Sequence, residues 1–212
     1  MSMEGNYKIL NDLVIRKLTP EDINILAFFF SSLSEKTLRN WNHYGLDLHK
    51  RAYEVALKIC KELDETKKLH LIGIINDIPV AYGFLEFFPE KPFKADNCKL
   101  GLVVADKFQG KGIGSKMLKE LINQARLRKM RKIWLSTYLD NKIALRLYLK
   151  NGFIIEGFFF NDENWMNEKR TIVSMALFLD DREREEVIKN RNYYYMLLIE
   201  GNFEQFFIIN KQ

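Results

Sequence analysis

The feature that most constrains this chain is a strand, a glycine-rich turn and a helix in immediate succession. Leu100 to Val104 is a short apolar run of the kind a buried strand carries, and Leu118, Leu121, Ile122 and Ala125 recur at helical spacing beyond it. Between them stands Gln109-Gly110-Lys111-Gly112-Ile113-Gly114-Ser115. Its glycines let the backbone turn sharply and approach a ligand closely, while free N–H groups and the positive dipole end of the new helix attract an anion. The order predicts a pyrophosphate cradle formed by the backbone at Gly110, Gly112 and Gly114, with Gln109, Lys111, Ile113 and Ser115 beside it. A bare glycine repeat would predict only a turn.

Two other nucleotide-binding patterns fail on the same residues. A P-loop needs Gly, four residues, then Gly-Lys-Ser/Thr, but Gly110-Lys111 is followed by Gly112, and Ala105 stands where the first glycine belongs. A dinucleotide fold puts its glycines after the first strand, with an acidic residue about 20 positions on. Here the loop is mid-chain, and Lys132-Ile133-Trp134-Leu135 occupies the later stretch.

The chain resembles the GNAT superfamily of N-acetyltransferases through two motifs in order. Gln109, Gly112 and Gly114 fit the acyl-CoA-binding pattern Gln/Arg-x-x-Gly-x-Gly/Ala. Asn141, Ala144, Leu145, Leu147, Tyr148, Gly152 and Phe153 fit Asn-x-x-Ala-Leu-x-Leu-Tyr-x-x-x-Gly-Phe without a gap. The similarity is strongest from Leu102 to Glu156 and is nearest in tone to ribosomal-protein and polyamine acetyltransferases. It implies an α/β fold with a mixed, mostly antiparallel central sheet flanked by helices, and acetyl-CoA as acyl-donor substrate. Main-chain groups of Leu102, Val103 and Val104 would pair with the pantetheine arm as an added strand does, and one N–H there would polarise the acetyl oxygen. The resemblance further implies that Asn141 contacts the CoA arm, that Arg146 or Lys142 meets a phosphate, and that Tyr148 protonates the departing thiolate. Asn141 also suits a helix N-cap.

The general base is less constrained. Similar acetyltransferases carry Glu on the strand before the Asn motif, where this chain has Ser136. Glu86 is the remaining candidate, because strand alternation puts it on one face with Tyr82 and Phe84; an ordered water is the open alternative, with Tyr138 and Asp140 behind it. No cysteine lies in the motif region as an acyl carrier. The expected activity is therefore direct acetyl transfer, in a ternary complex, to a primary amine: a protein N-terminus, a lysine, a polyamine or another small amine. The rival reading is a non-catalytic acyl-CoA-binding sensor.

Composition narrows the partners. A net charge of +5 suits an anionic ligand, and the cluster Arg126, Arg128, Lys129, Arg131 and Lys132 falls at a helix C-terminus, where cations complement the dipole. No nucleic-acid partner is expected, since no basic-aromatic recognition motif accompanies it. Two cysteines, Cys60 and Cys98, and three histidines predict neither a disulfide nor a metal site. Met1 to Asn11 lacks the pattern of a secretory signal, and the apolar run Ile25 to Phe30 is too short to span a bilayer, so a cytoplasmic protein without a membrane partner is expected.

Periodicity divides the rest. Asp12 to Leu18 reads as a strand, and Thr19-Pro20-Glu21-Asp22 as a capping box opening a helix through Ser32. Another helix starts at Ser34, and a third spans Leu48 to Glu65. The resemblance implies that Phe28 to His49 walls the acceptor site. Strands are predicted at Leu69–Ile75 and Ile78–Phe88 around an Asn76-Asp77 turn, then at Leu100–Val104, Ile133–Tyr138, Phe153–Phe159 and Thr171–Phe178. The polar stretch Asn161 to Lys169 reads as a hairpin loop. One domain, residues 1–180, is expected, with an extension at 181–212. Val187, Tyr194, Tyr195, Leu198 and Ile199 approximate a helical face there and Phe203–Ile209 is apolar, which suits packing on the domain or a homodimer contact.

Overall fold

The computed structural model describes residues 10–41, 45, 47–165 and 168–199, apart from the side chains of 164, 165 and 192–199. Seven strands, β1 (Val14–Lys17), β2 (Lys68–Ile75), β3 (Ile78–Phe87), β4 (Asn97–Val104), β5 (Lys132–Tyr138), β6 (Ile154–Trp165) and β7 (Glu168–Phe178), form one sheet in the order β1-β2-β3-β4-β5-β7-β6. Strands β1 to β4 are successively antiparallel, β4 and β5 are parallel, and β6 and β7 are antiparallel. The β2–β3 hairpin turns at Asn76 and Asp77, with φ of 46° and 61°, the left-handed pair that a two-residue connection requires.

A parallel pair needs a crossover, and helix α4 (Ile113–Leu127) supplies it between β4 and β5. Helices α1 (Ile23–Ser31), α2 (Glu35–Trp41) and α3 (Ala52–Lys61) precede the hairpin, and α5 (Lys142–Lys150) follows β5. The alternation of β3 sorts the layers. Tyr82 and Phe84 are buried with Leu26, Phe29, Phe30, Leu38 and Ala56 of the early helices. Gly83 faces α4 so closely that an added Cβ would lie 2.9 Å from Leu121 Cδ1.

Four boundaries depart from the periodicity. The first helix opens as a 3-10 turn, Pro20–Asp22. There Asp22 accepts from the Thr19 N–H at 2.8 Å and from both Arg16 guanidinium nitrogens at 2.6 and 2.7 Å. The Arg16 hydrogen bonds hold the buried carboxyl below its usual range, against the opposing effect of burial. Helix α3 is shorter than Leu48–Glu65 because Asp47–Lys50 forms a turn, with Arg51 clasping the Asp47 carboxylate. Strand β4 begins at Asn97, three residues before the apolar run. The expected loop Asn161–Lys169 is mostly strand: β6 reaches Trp165 and β7 starts at Glu168, with a register shift between Phe159 and Glu163 and Asn161 at φ 52°. Strand β6 is an edge strand carrying a bulge, so its pairing does not require an apolar run.

The chain divides into two compact units at Leu177/Phe178. Helix α6 (Asp181–Ile199) belongs to the second. The side chains of Tyr194, Tyr195, Leu198 and Ile199, and all of Phe203–Ile209, lie outside what is described. No described helix is long and apolar enough to cross a membrane.

Candidate active site

Strands β4 and β5 pair only at Asn97↔Lys132, Cys98↔Ile133 and Lys99↔Trp134. Beyond that point β4 stays in register with β3, Gly83↔Leu102 and Ala81↔Val104, while β5 runs on to Tyr138. The two strands part. Among the described residues, the β5-facing backbone from Leu100 to Val103 has no ladder partner, which leaves polar main-chain groups lining a wedge inside the sheet.

At the end of β4 the chain passes through a 3-10 turn, Asp106–Phe108, into the glycine loop. Gly110 and Gly112 have φ of +74° and +85°, a region L side chains rarely adopt. A Cβ at Gly110 would meet nothing within 4 Å, whereas one at Gly112 would lie 3.1 Å from Leu10 Cδ1. Gly112 is the N-cap of α4 and has no side-chain cap, and its carbonyl accepts from the Lys116 N–H at 3.1 Å. The N–H groups of Ile113, Gly114 and Ser115 therefore stand at the helix mouth, with Ile113 buried as the anchor beneath them. This uncapped, open loop fits a pyrophosphate. Lys111 lies 5.1 Å from the Phe108 ring centroid.

Gln109 lies in the loop as expected, and its side chain has a structural task there. Its amide nitrogen donates to Thr37 Oγ1 at 3.1 Å and to the Val104 carbonyl at 3.0 Å, so it braces the loop. Asp106 makes the companion link, accepting from the Ser34 N–H at 3.0 Å, from Ser34 Oγ at 2.5 Å and from Thr37 Oγ1 at 2.8 Å. Burial alone would raise the Asp106 carboxyl, but these hydrogen bonds outweigh it and hold the group below its usual range. The start of α2 is thereby tied to the glycine loop.

On the other flank, Asn141 caps α5. Its Oδ1 accepts from the Ala144 N–H at 3.3 Å, and its Nδ2 donates to Thr137 Oγ1 at 3.3 Å. Lys142 and Arg146 are exposed. Tyr148 is 7% exposed, with its ring 5.4 Å from that of Phe153. Burial pushes its phenol above the ordinary value, so it keeps its proton at neutral pH. Helix α5 borders the loop, since a Cβ at Gly114 would lie 3.4 Å from Leu147 Cδ2.

A cavity of about 250 Å³ opens beside the wedge, lined by Asn40 and Trp41 of α2, Phe84 of β3, Lys99–Gly101 of β4, Ser136–Tyr138 of β5, Glu163 of β6 and Ile172 of β7. Asn40 and Trp41 fall within the segment expected to wall the acceptor site. A Cβ at Gly101 would lie 2.2 Å from Phe84 Cε1, so only glycine lets that ring lie flat against β4. Tyr138 donates its hydroxyl to Glu163 Oε2 at 2.5 Å. Behind it, buried Arg170 lies 3.5 Å from the Tyr138 ring centroid and donates to the Arg39 carbonyl, Asn40 Oδ1 and Asp140 Oδ1 at 2.9, 2.9 and 2.6 Å.

Glu86 pairs across the ladder with Lys68 on one side and Lys99 on the other. It is one alternation beyond Phe84 and does not itself line the cavity. Sequence reasoning missed Glu163 as a cavity group and Arg170 as the support behind the Tyr138 ring; their only local signal was a polar stretch, which also describes a loop. Of the basic cluster, Arg128, Arg131 and Lys132 are ion-paired with Glu65, Asp96 and Glu156. No group of metal-binding side chains occurs among the described residues.

The model of the acetyltransferase (GNAT) family matches residues 26–153. A spermine/spermidine N(1)-acetyltransferase of Bacillus subtilis is 38% identical over 128 aligned positions, covering 53% of this chain and 80% of the relative. Among solved structures, a ribosomal-protein-alanine N-acetyltransferase from Brucella melitensis superposes with a TM-score of 0.63 at 23% identity, covering 78% of this chain and 99% of that one. A Salmonella typhimurium protein solved with its cofactor acetyl-CoA gives 0.62 at 20% identity, covering 79% and 94%.

Proposed function

This chain belongs to the acetyltransferase (GNAT) family, and on that footing we propose that it moves the acetyl group of acetyl-CoA onto a polyamine by direct transfer. That it is an acetyl-CoA-dependent N-acetyltransferase follows from the family and its relatives. The polyamine acceptor and the residue roles are our reading. The observation that carries the reading is the parting of β4 and β5, which opens one route from the uncapped glycine loop, along unpaired β4 backbone, to a cavity holding a carboxylate.

Acetyl-CoA supplies a thioester whose carbonyl carbon takes the amine nitrogen and releases a thiolate. The N–H groups at Gly110, Gly112, Ile113, Gly114 and Ser115 would hold the pyrophosphate, with Lys111 alongside. The free main chain at Leu102 and Val103 would take the pantetheine arm as a neighbouring strand, and an N–H there would face the acetyl oxygen as negative charge develops on it; one such donor is worth roughly 3–4 kcal/mol in other acyl transfers. Asn141 would fix the start of α5, and through it Tyr148, besides any contact with the arm. Tyr148 would give its phenolic proton to the sulfur as the C–S bond breaks. Its high affinity for the proton disfavours spontaneous ionisation, so positioning is what makes it a donor. The amine's proton would leave through Glu86, beside Lys99, or through water.

Neither cysteine supports an acyl-enzyme route. Burial pushes the thiol of Cys60 up to about 11 and that of Cys98 up to about 12, so neither is a thiolate at neutral pH. Two buried free thiols also suit the cytoplasm, where we place the protein. The test is turnover with acetyl-CoA against spermidine, spermine, simple monoamines and peptides with a free N-terminus, read as free thiol. Acetylation of polyamines above the other amines is expected. Coenzyme binding without turnover on any amine would leave the sensor reading in its place.

A further inference from the structure

We propose that Glu163, presented by the Tyr138 hydroxyl, is the residue that recognises the second, non-reacting ammonium of the acceptor and so selects polyamines over monoamines. The proposal rests on the polyamine reading above. It comes from the charges around the cavity. Arg170 is matched by Asp140 at 2.6 Å, and the Lys99 ammonium lies 5.5 Å from the Trp134 ring centroid. Among the described residues no cation forms an ion pair with Glu163, its ladder neighbour Arg170 being engaged by Asp140. Its Oε2 accepts a neutral phenol hydrogen bond at 2.5 Å, and no described residue donates to its Oε1. A carboxylate oxygen left without a donor at a cavity wall is an acceptor in want of a cation or water.

The surroundings give that oxygen a fixed position. The bulge between Phe159 and Glu163 re-aims the end of β6, and the register Glu163↔Arg170 sets the carboxylate against the strand that carries the buried guanidinium. Arg170 holds the Tyr138 ring from behind and, by its bonds to the Arg39 carbonyl and Asn40, holds the last turn of α2 at the opposite wall. Tyr138 and Arg170 are thus positioning residues for Glu163. The walls between, Trp41, Phe84 and the Tyr138 ring, are aromatic and suit the methylene stretch that separates two amines in a polyamine. An ammonium bound to Glu163 through one end leaves the other amine free to reach the wedge.

The experiment compares wild type, Glu163→Gln and Glu163→Asp on three acceptors, a monoamine, a diamine and spermidine, with KM, kcat and acetyl-CoA binding measured separately. Wild type should prefer the acceptors with a second ammonium. Glu163→Gln should raise KM for spermidine at least about tenfold, the change expected on losing one charge-assisted hydrogen bond, and leave monoamine turnover and acetyl-CoA affinity unchanged. Glu163→Asp, which keeps the charge at shorter reach, should recover part of the preference. A folded Glu163→Gln protein that still prefers spermidine overturns the proposal while leaving the polyamine reading intact. A wild-type protein with no preference for a second ammonium overturns both. Loss of monoamine turnover in Glu163→Gln at unchanged acetyl-CoA binding overturns the recognition role, because it would make the carboxylate part of the chemistry.

Discussion

The glycine loop and the cavity beside it are built by opposite means. The loop is one stretch of chain, Gln109 to Ser115, and what it offers a ligand is backbone: positive φ at Gly110 and Gly112, and N–H groups at an uncapped helix. The cavity draws residues from α2 and from β3, β4, β5, β6 and β7, and what it offers, among the described residues, is a carboxylate without an ion-pair partner between aromatic walls. A backbone site depends on conformation and is damaged by any residue that cannot adopt it. A side-chain site depends on charge and can be redirected by an isosteric change. One protein can thus keep the first and change the acceptor through the second.

The sharpest way to break this contrast is Tyr148, a side chain serving the backbone-built half. Tyr148→Phe should lower kcat by about 10²- to 10⁴-fold, the usual worth of general acid catalysis, with acetyl-CoA affinity and melting temperature little changed. Single-turnover kinetics would check it, and wild-type rates would remove Tyr148 from the chemistry. Next is Gly112→Val. It forces a β-branched residue to φ +85° with Leu10 3.1 Å from its Cβ, and calorimetry should show acetyl-CoA binding weakened at least about tenfold. Unchanged affinity in a folded protein would move the cradle elsewhere.

Gly101→Ala tests the cavity by the same logic. Its Cβ would meet the Phe84 ring at 2.2 Å, so thermal unfolding should report a loss of about 1–3 kcal/mol as that ring is displaced, with acceptor KM rising alongside. Retained stability would mean the floor is softer than it looks. The smallest effect belongs to the link between the halves. Asp106→Asn should raise acceptor KM by about two- to fivefold through a looser α2, as expected for losing part of a hydrogen-bonded link worth roughly 0.5–1 kcal/mol. Since Asp106 titrates below its unfolded value, the stabilisation is complete above the ordinary carboxylate range and is lost as pH falls through the lowered value. Denaturation of wild type and variant should therefore converge in acid, and parallel curves would show that the link contributes nothing.

The same contrast explains what the sequence made legible. The strands, the Asn76-Asp77 turn and the glycine loop were readable because each depends on neighbours a few positions away. Glu163 and Arg170 were not, because their roles come from pairing across β6 and β7 and from contact with residues as distant as Arg39 and Asn40. The polar stretch 161–169 looked like a loop because an edge strand bears little of the apolar signature that identifies a buried one. Gln109 fell in the predicted loop, but its side chain turned out to be occupied by Thr37 and Val104. That bond joins segments far apart in the chain, and no local pattern encodes it.

The parting of β4 and β5 also bears on folding. A sheet with a gap in its middle carries an edge that ordinary sheets keep at their margins, where exposed main-chain groups invite pairing with another chain. A ligand that lies along β4 completes the ladder as a missing strand would. Since only the folded chain offers that position, a donor bound there as proposed would add to its stability, by about 2.7 kcal/mol at a hundred times its dissociation constant. The protein's resistance to unfolding and to strand-to-strand aggregation should thus rise and fall with the supply of acyl donor, which a melting series across coenzyme concentrations would measure.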